Sequence, residues 1–266
     1  LNAQHKFLVE LSDSHIIHPS IPKDRLFSVA DIATGTGIWL QDVSGILSKE
    51  SPSPTPRYYH GFDISPAQFP AQPAEPTIHF SVQDILNPFP AEHLGRYDLV
   101  HVRLVIAALK EGDYSIAVEN LQSLLKPNGY LQWEEIDNGS FEASSPPQNH
   151  VVLEEIRQII LRGMKESGMS FNAAQRVYDE SRAAGLTNVM TEIFTAKNKE
   201  FLWPAARRWL GAAFRMLVFG ALLRSGEARD GNEAKKRVEE VMERYESCCQ
   251  EGEPLANLKM VVGQKD

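Results

Sequence analysis

The sequence predicts an α/β fold, a mostly parallel seven-stranded sheet with helices on both faces and a helical cap over the carboxyl-terminal edge of the strands. Three observations carry that prediction. Short apolar runs alternate with segments of helical periodicity from Leu26 to Ile136. The first run, in Val29 to Leu40 (VADIATGTGIWL), passes straight into a glycine turn and a helix. Beyond Asn149 long helical segments replace the alternation.

Taken in order, Leu1 to Glu10 reads as a helix with Leu1, His5, Leu8 and Val9 near one face, and Pro19 and Pro22 prevent its continuation. Leu26 to Ile32 is the first strand. Ile38, Leu40, Val43, Ile46 and Leu47 then recur at helical spacing until Pro52, Pro54 and Pro56 force a stop. Tyr58 to Ile64 and Ile78 to Val82 are the next strands, separated by a loop rich in Pro, Ala and Gln. Tyr97 to Val102 is a short apolar run suited to a central parallel strand. Tyr114 to Lys126 carries Ile116, Val118, Leu121, Leu124 and Leu125 in helical register, and Pro127 to Gly129 turns the chain into a fifth strand, Gly129 to Ile136. Asp137 to Asn149 is loop-forming. Val151 to Gly168, Phe171 to Gly185, Ala205 to Arg224 and Glu233 to Gln250 read as cap helices, with Leu186 to Lys197 and Leu255 to Gly263 as closing strands. Strand-helix alternation implies right-handed crossovers and hence a Rossmann-like sheet. The expected division is an N-terminal helical lid at 1–24, a ligand-binding Rossmann-like half at 25–137, and a cap interleaved with the last strands at 138–266.

Composition narrows the function. A chain of 266 residues, 42% hydrophobic, can bury a sizeable core. A net charge of -8 without a basic stripe argues against a nucleic-acid partner. The two cysteines, Cys248 and Cys249, are adjacent and poorly placed to bond each other, which fits a reducing compartment. The opening LNAQHKFLVE has no basic-then-apolar leader. The longest apolar run, Gly211 to Leu223, contains Arg215 and falls short of the ~20 residues of a membrane span. A cytoplasmic protein without membrane partner is expected, and no metal site is assigned.

Gly35 and Gly37 permit positive φ and close approach of a ligand to the backbone at a helix start. A dinucleotide fingerprint needs a third glycine where Leu40 stands, so a nicotinamide oxidoreductase is the weakest reading. The spacing Asp31, Ala33, Gly35, Gly37 instead resembles motif I of class I S-adenosylmethionine-dependent methyltransferases, with alanine where the family usually has glycine. Asp63, 26 positions after Gly37, ends the second strand, where a carboxylate can accept bonds from both ribose hydroxyls or serve as a turn or helix cap. Asp84 follows the third strand and resembles the family acid that bonds the adenine amino group, with the Ile85 backbone beside it. As a set, DIATGTGIW, GFDIS, QDILNPFP, YDLVHVRL, LLKPNGYLQWEEID and the opening AQH resemble fungal methyltransferases of the LaeA and UMTA kind. The resemblance implies a class I fold, S-adenosyl-L-methionine as cofactor and a small secondary-metabolite substrate, in a group that also includes a regulator.

Methyl transfer is an in-line displacement, so the protein must exclude water, align the acceptor and manage one proton. His101, at the carboxyl end of the fourth strand, is the first candidate for a base, with Glu135 as the second catalytic candidate beside Glu134 at the end of the fifth strand and Arg103 as a substrate contact. The alternative bonds His101 to a backbone carbonyl and bridges Arg103 with the two glutamates. His5 and His150 are further options. Trp39, Trp133, Trp203, Trp209, Phe214, Met216 and Phe219 offer apolar surface for a flat acceptor or for core packing. Trp203, Trp209 and Phe214 are assigned to the pocket wall, with a homodimer interface as the competing use of that helix. A base and an apolar pocket favour transfer to oxygen over nitrogen or carbon. A protein that binds the cofactor without transferring methyl, as a regulator or as an enzyme of another reaction such as a cyclisation, is the second reading.

Overall fold

The computed structural model describes residues 2–71, 77–136, 142–144, 147–248, 253–255 and 257–266, with side chains given for 2–71, 77–136, 151–247 and 257–266. Its strands are β1 (Ser28–Ile32), β2 (Tyr58–Asp63), β3 (Ile78–Val82), β4 (Tyr97–Arg103), β5 (Leu125–Ile136), β6 (Glu142–Ser144), β7 (Thr187–Thr195), β8 (Glu253–Leu255) and β9 (Asn257–Gln264). Its helices are α1 (Asn2–Leu11), α2 (Ile38–Glu50), α3 (Asp113–Leu124), α4 (Pro147–Glu166), α5 (Ala173–Ala183), α6 (Trp203–Arg224) and α7 (Gly231–Cys248).

Seven strands form one sheet in the order β3-β2-β1-β4-β5-β9-β7. The pairings from β3 to β5 are parallel, and β9 runs antiparallel to both β5 and β7. The order reverses between β1 and β4, and that switch point is where an open α/β sheet leaves a crevice at its carboxyl edge. All five residues of β1 are buried, as its position at the centre of the sheet requires.

Two apolar layers sandwich the sheet. On one side Leu8, Leu11, Trp39, Leu40 and Val43 pack α1 and α2 against Val29 and Leu99. On the other, Val118, Leu121, Val177 and Phe214 join Val100, Val102 and Trp133. Burying a Leu- or Phe-sized side chain contributes about 1.5–3 kcal/mol, so each layer is held by many such increments. Helices α4, α6 and α7 pack on one another as the cap. At the α4–α6 contact a Cβ on Gly163 would lie 2.4 Å from Ala221, so only glycine allows that approach.

Three expectations are corrected. The fifth strand begins at Leu125, four residues early, because Asn128 takes φ +64 and its N–H bonds Lys265 O at 2.8 Å, which keeps the turn inside the strand. The stretch read as loop at 137–149 includes β6 and the start of α4, and β6 pairs antiparallel with β8 in a two-stranded sheet of its own. Helix α5 is not cap: it lies along the sheet beside α3, where Ala173, Ala174 and Val177 are buried. The side chain of His150, and Cys249, lie outside the described residues.

Candidate active site

The site is built on the turn between β1 and α2. Ala33, Gly35 and Gly37 all take left-handed backbone, at φ +58, +55 and +71. Two glycines reach it without strain, whereas alanine does so against the clash of Cβ with the backbone. A Cβ on Gly37 would also sit 2.5 Å from the tip of the Phe80 ring, so a larger residue there requires that ring to move. The turn is held from β2: Asp63 Oδ2 accepts the Gly35 N–H at 2.9 Å, and Oδ1 accepts the Ser65 N–H at 3.1 Å.

A cleft of about 410 Å³ opens over this turn, lined by Asp31, Ala33, Thr34, Gly35, Asp63, His101 and Arg103, with Gln4 and Met216 at its mouth. A smaller cavity of about 160 Å³ shares Ala33 and Asp63 with it and is lined by Asp84, Ile85 and Leu86. Asp84 Oδ1 accepts the Leu86 N–H at 2.9 Å, which fixes that carboxylate at the cavity wall. The turn and the second-strand acid thus line the cleft, the third-strand acid lines the smaller cavity, and Ala33 and Asp63 are common to both.

The floor beneath β1 and β4 is a column of charge. His101 Nδ1 lies 2.7 Å from Asp31 Oδ1, and Nε2 lies 3.2 Å from Glu134 Oε1. Asp31 Oδ2 accepts the Thr34 hydroxyl at 2.6 Å, and Gln132 Nε2 donates to Glu134 Oε1 at 3.0 Å. His101 is 1% exposed. Burial works against a charged ring, but the hydrogen bonds to Asp31 and then Glu134 outweigh it and hold the His101 pKa above the ordinary histidine value. The same contact, aided by Arg103, outweighs burial at Glu134 and holds that carboxyl below its ordinary value. Both ring nitrogens of His101 face carboxylate oxygens, the arrangement that suits an imidazolium donating to each. In place of the free base first expected, or the backbone carbonyl of the alternative, His101 meets a carboxylate at each ring nitrogen.

Helix α1 extends the column. Arg103 Nη2 donates to His5 Nδ1 at 2.9 Å, and His5 Nε2 bonds Asp42 Oδ2 at 2.9 Å. Since guanidinium can only donate, His5 must be neutral with its proton on Nε2. Burial lowers its pKa in the same direction.

Other site expectations separate. Glu135 sits on the opposite face of β5 from Glu134, fully buried, with Oε1 accepting the Val105 N–H at 2.7 Å and Trp133 Nε1–H at 3.2 Å. It lines neither cavity. The aromatics of α6 are likewise absent from the cleft. Phe214 is 1% exposed against Tyr245, Trp209 packs on Phe7, and Trp203 Nε1 donates to Ala196 O at 3.4 Å. Met216 is the residue of α6 that reaches the cleft. The stacking of Trp39 on His101 and the Asp42–His5–Arg103 link leave no mark in the sequence. Their members are far apart in the chain, and no local spacing marks them. Among the described residues no group of three or more His, Cys, Asp or Glu could hold a metal, and no helix is long and apolar enough to cross a membrane.

A methyltransferase-domain family matches residues 8–190. The methyltransferase grgD of a Penicillium species is 40% identical over 199 residues, 73% of this chain and 67% of that protein. The N-methyltransferase gliN of Aspergillus fumigatus is 36% identical over 56% of this chain, which spans 49% of its length. Among solved structures, the phosphoethanolamine N-methyltransferase 2 of Haemonchus contortus in complex with S-adenosyl-L-methionine aligns over 99% of this chain and 52% of that one, with a TM-score of 0.51 and 14% identity, a likeness of fold alone.

Proposed function

Because this chain belongs to the class I S-adenosylmethionine-dependent methyltransferases, we propose that it methylates a nitrogen of a small, largely apolar secondary-metabolite acceptor. The cofactor supplies an electrophilic methyl group on a sulfonium. Ala33, Gly35 and Asp63 would hold its ribose and tail, and Asp84 with the Ile85 backbone its adenine. Their fit is supported by the two adjoining cavities, which share Ala33 and Asp63 and carry Gly35 in one and Asp84 and Ile85 in the other.

The observation that carries the choice of nitrogen is the commitment of His101. Transfer to a phenol needs a base to take the hydroxyl proton before or during attack. The side chains lining the cleft that could serve as a base, Asp31, Asp63 and His101, are already engaged in hydrogen bonds among the described residues. A neutral amine needs no such base: its lone pair forms the N–C bond as the C–S bond breaks, and its proton leaves to water afterwards. The preference for oxygen rested on His101 as a base, and its pairing removes that support. That gliN and others among the relatives are named N-methyltransferases points the same way.

The test offers the protein and cofactor a set of apolar acceptors matched in shape, each as amine and as phenol, and follows S-adenosylhomocysteine release and product mass. Amine methylation with the phenols untouched is expected. Phenol methylation with the amines refused replaces nitrogen by oxygen, and cofactor binding without turnover on any acceptor favours the non-transferring reading.

A further inference from the structure

We propose that Arg103 binds the carboxylate of the cofactor's methionine tail, with His5 of α1 as the positioning residue that aims it. The inference rests on the cofactor and names a subsite for it. Arg103 ends β4, and the next residue, Leu104, is held at φ +57 with its N–H on Glu134 O at 2.9 Å. A non-glycine residue in that conformation persists only where its surroundings impose it, so the end of β4 is fixed in place.

The Arg103 side chain is 15% exposed and lines the cleft. Among the described residues it has two partners: His5 Nδ1 at 2.9 Å and Glu134 Oε2, which at 3.8 Å from Nη1 is beyond hydrogen-bond reach. Of its five N–H donors one is engaged among the described residues, and a part-buried cation with donors to spare is stabilised by an anion that takes them. Glu134 offsets the charge from 3.8 Å but accepts none of these N–H groups, its Oε1 being turned to His101 and Gln132. The carboxylates of the cleft, Asp31 and Asp63, are likewise met by other donors.

Strand order sets the direction of the ligand. The ribose and adenine acids, Asp63 and Asp84, lie at the ends of β2 and β3, whereas Arg103 lies at the end of β4 on the other side of β1. A ligand whose adenosine is held over β2 and β3 and which crosses the Ala33–Gly35 turn places its far end at Arg103. That end of the cofactor carries a carboxylate, which a guanidinium fork matches. His5 presents a lone pair to Nη2 and turns the remaining donors to the cleft, while Asp42 fixes its tautomer from the other side.

The experiment compares S-adenosylhomocysteine with 5′-methylthioadenosine, which lacks the amino-acid tail, by calorimetric titration of wild type, Arg103→Gln, His5→Phe and His5→Asn. Arg103→Gln is expected to weaken S-adenosylhomocysteine by about tenfold to a hundredfold, as for a lost charge-assisted pair, and to leave methylthioadenosine within about twofold. His5→Phe should lower the ratio of the two affinities less, and His5→Asn, which keeps an acceptor near the position of Nδ1, should restore most of it. Equal losses for both ligands, or no loss for either, overturn the proposal. Wild type that binds neither ligand would refute the cofactor site itself, a separate outcome.

Discussion

Trp39 of α2 and His101 of β4 lie face to face, with ring centroids 3.7 Å apart and planes 1° from parallel. The indole covers the flat side of an imidazolium whose edges are held by Asp31 and Glu134, so the cation is enclosed by an aromatic face and two carboxylates. His101→Gln would leave two buried carboxylates without their cation and should cost about 3–5 kcal/mol of stability in urea unfolding. Its pH dependence has a definite sign. A folded-state pKa above the ordinary 6.5 or so stabilises fully below that value, and the stabilisation is lost as pH rises through the folded pKa. The stability gap between wild type and His101→Gln should therefore narrow on the alkaline side. A gap that widens with pH would mean a neutral ring.

His60 behaves in the opposite sense. Its Nδ1 meets the Tyr58 hydroxyl at 2.7 Å and Nε2 meets Ser81 Oγ at 2.9 Å. Burial, with His93, His79 and Arg96 nearby, pushes its pKa down to about 3. Below about pH 6.5 the unfolded chain takes a proton that the folded chain refuses, so stability is lost as pH falls from there toward 3. The expected slope is about 1.4 kcal/mol per pH unit for this one group. His60→Gln should flatten the acid limb of the unfolding free energy by that amount, and an unchanged slope would remove His60 as a cause of acid lability.

Asp63 bridges the Gly35 and Ser65 amides and lines both cavities. Asp63→Ala should weaken S-adenosylhomocysteine by about 2–3 kcal/mol, the loss of charge-assisted bonds to the ribose together with a looser turn. Unchanged affinity would take Asp63 out of the site.

Ala33 and Gly37 should answer substitution with opposite signs. Ala33 holds φ +58, which costs an L-residue about 1–2 kcal/mol, partly offset by the greater unfolded-chain entropy of glycine. Ala33→Gly is expected to be neutral or to stabilise by up to about 1 kcal/mol, with cofactor affinity retained. Gly37→Ala adds strain at φ +71 and a Cβ 2.5 Å from Phe80, and should destabilise by about 1–3 kcal/mol. Thermal and urea unfolding of the pair checks both.

Strands β1 to β4 and the acids Asp31, Asp63 and Asp84 were legible because each is written locally: an apolar run, a turn, and an acid at the strand end. The proton chemistry was not. Reading His101, Arg103, Glu134 and Glu135 as one group overlooks that neighbours on a strand face opposite ways. The register pairs Arg103 with Glu134, so Glu135 belongs to the other face, against Trp133 and Val105. Nor could periodicity locate His5, whose partners Asp42 and Arg103 lie 37 and 98 positions away. Such links exist only once α1 has packed on α2 and β4.

Helix α6 shows the same limit and gives a direct test of it. Its buried stripe, Ala206, Leu210, Phe214, Val218 and Ala221, faces the core, which leaves Met216, 63% exposed, at the mouth of the cleft. An apolar helix read from sequence offers no sign of which stripe meets the ligand, because core packing and ligand contact use the same residue types. Phe214→Ala removes a ring packed edge-on against Tyr245 at 5.3 Å and should cost about 3–5 kcal/mol of stability while leaving KM for the acceptor near wild type in the folded fraction. Met216→Ala should change stability by no more than about 0.5 kcal/mol and shift acceptor KM. Steady-state kinetics beside urea unfolding separates the two variants. A KM that follows Phe214 instead of Met216 would return the aromatic stripe to the pocket wall.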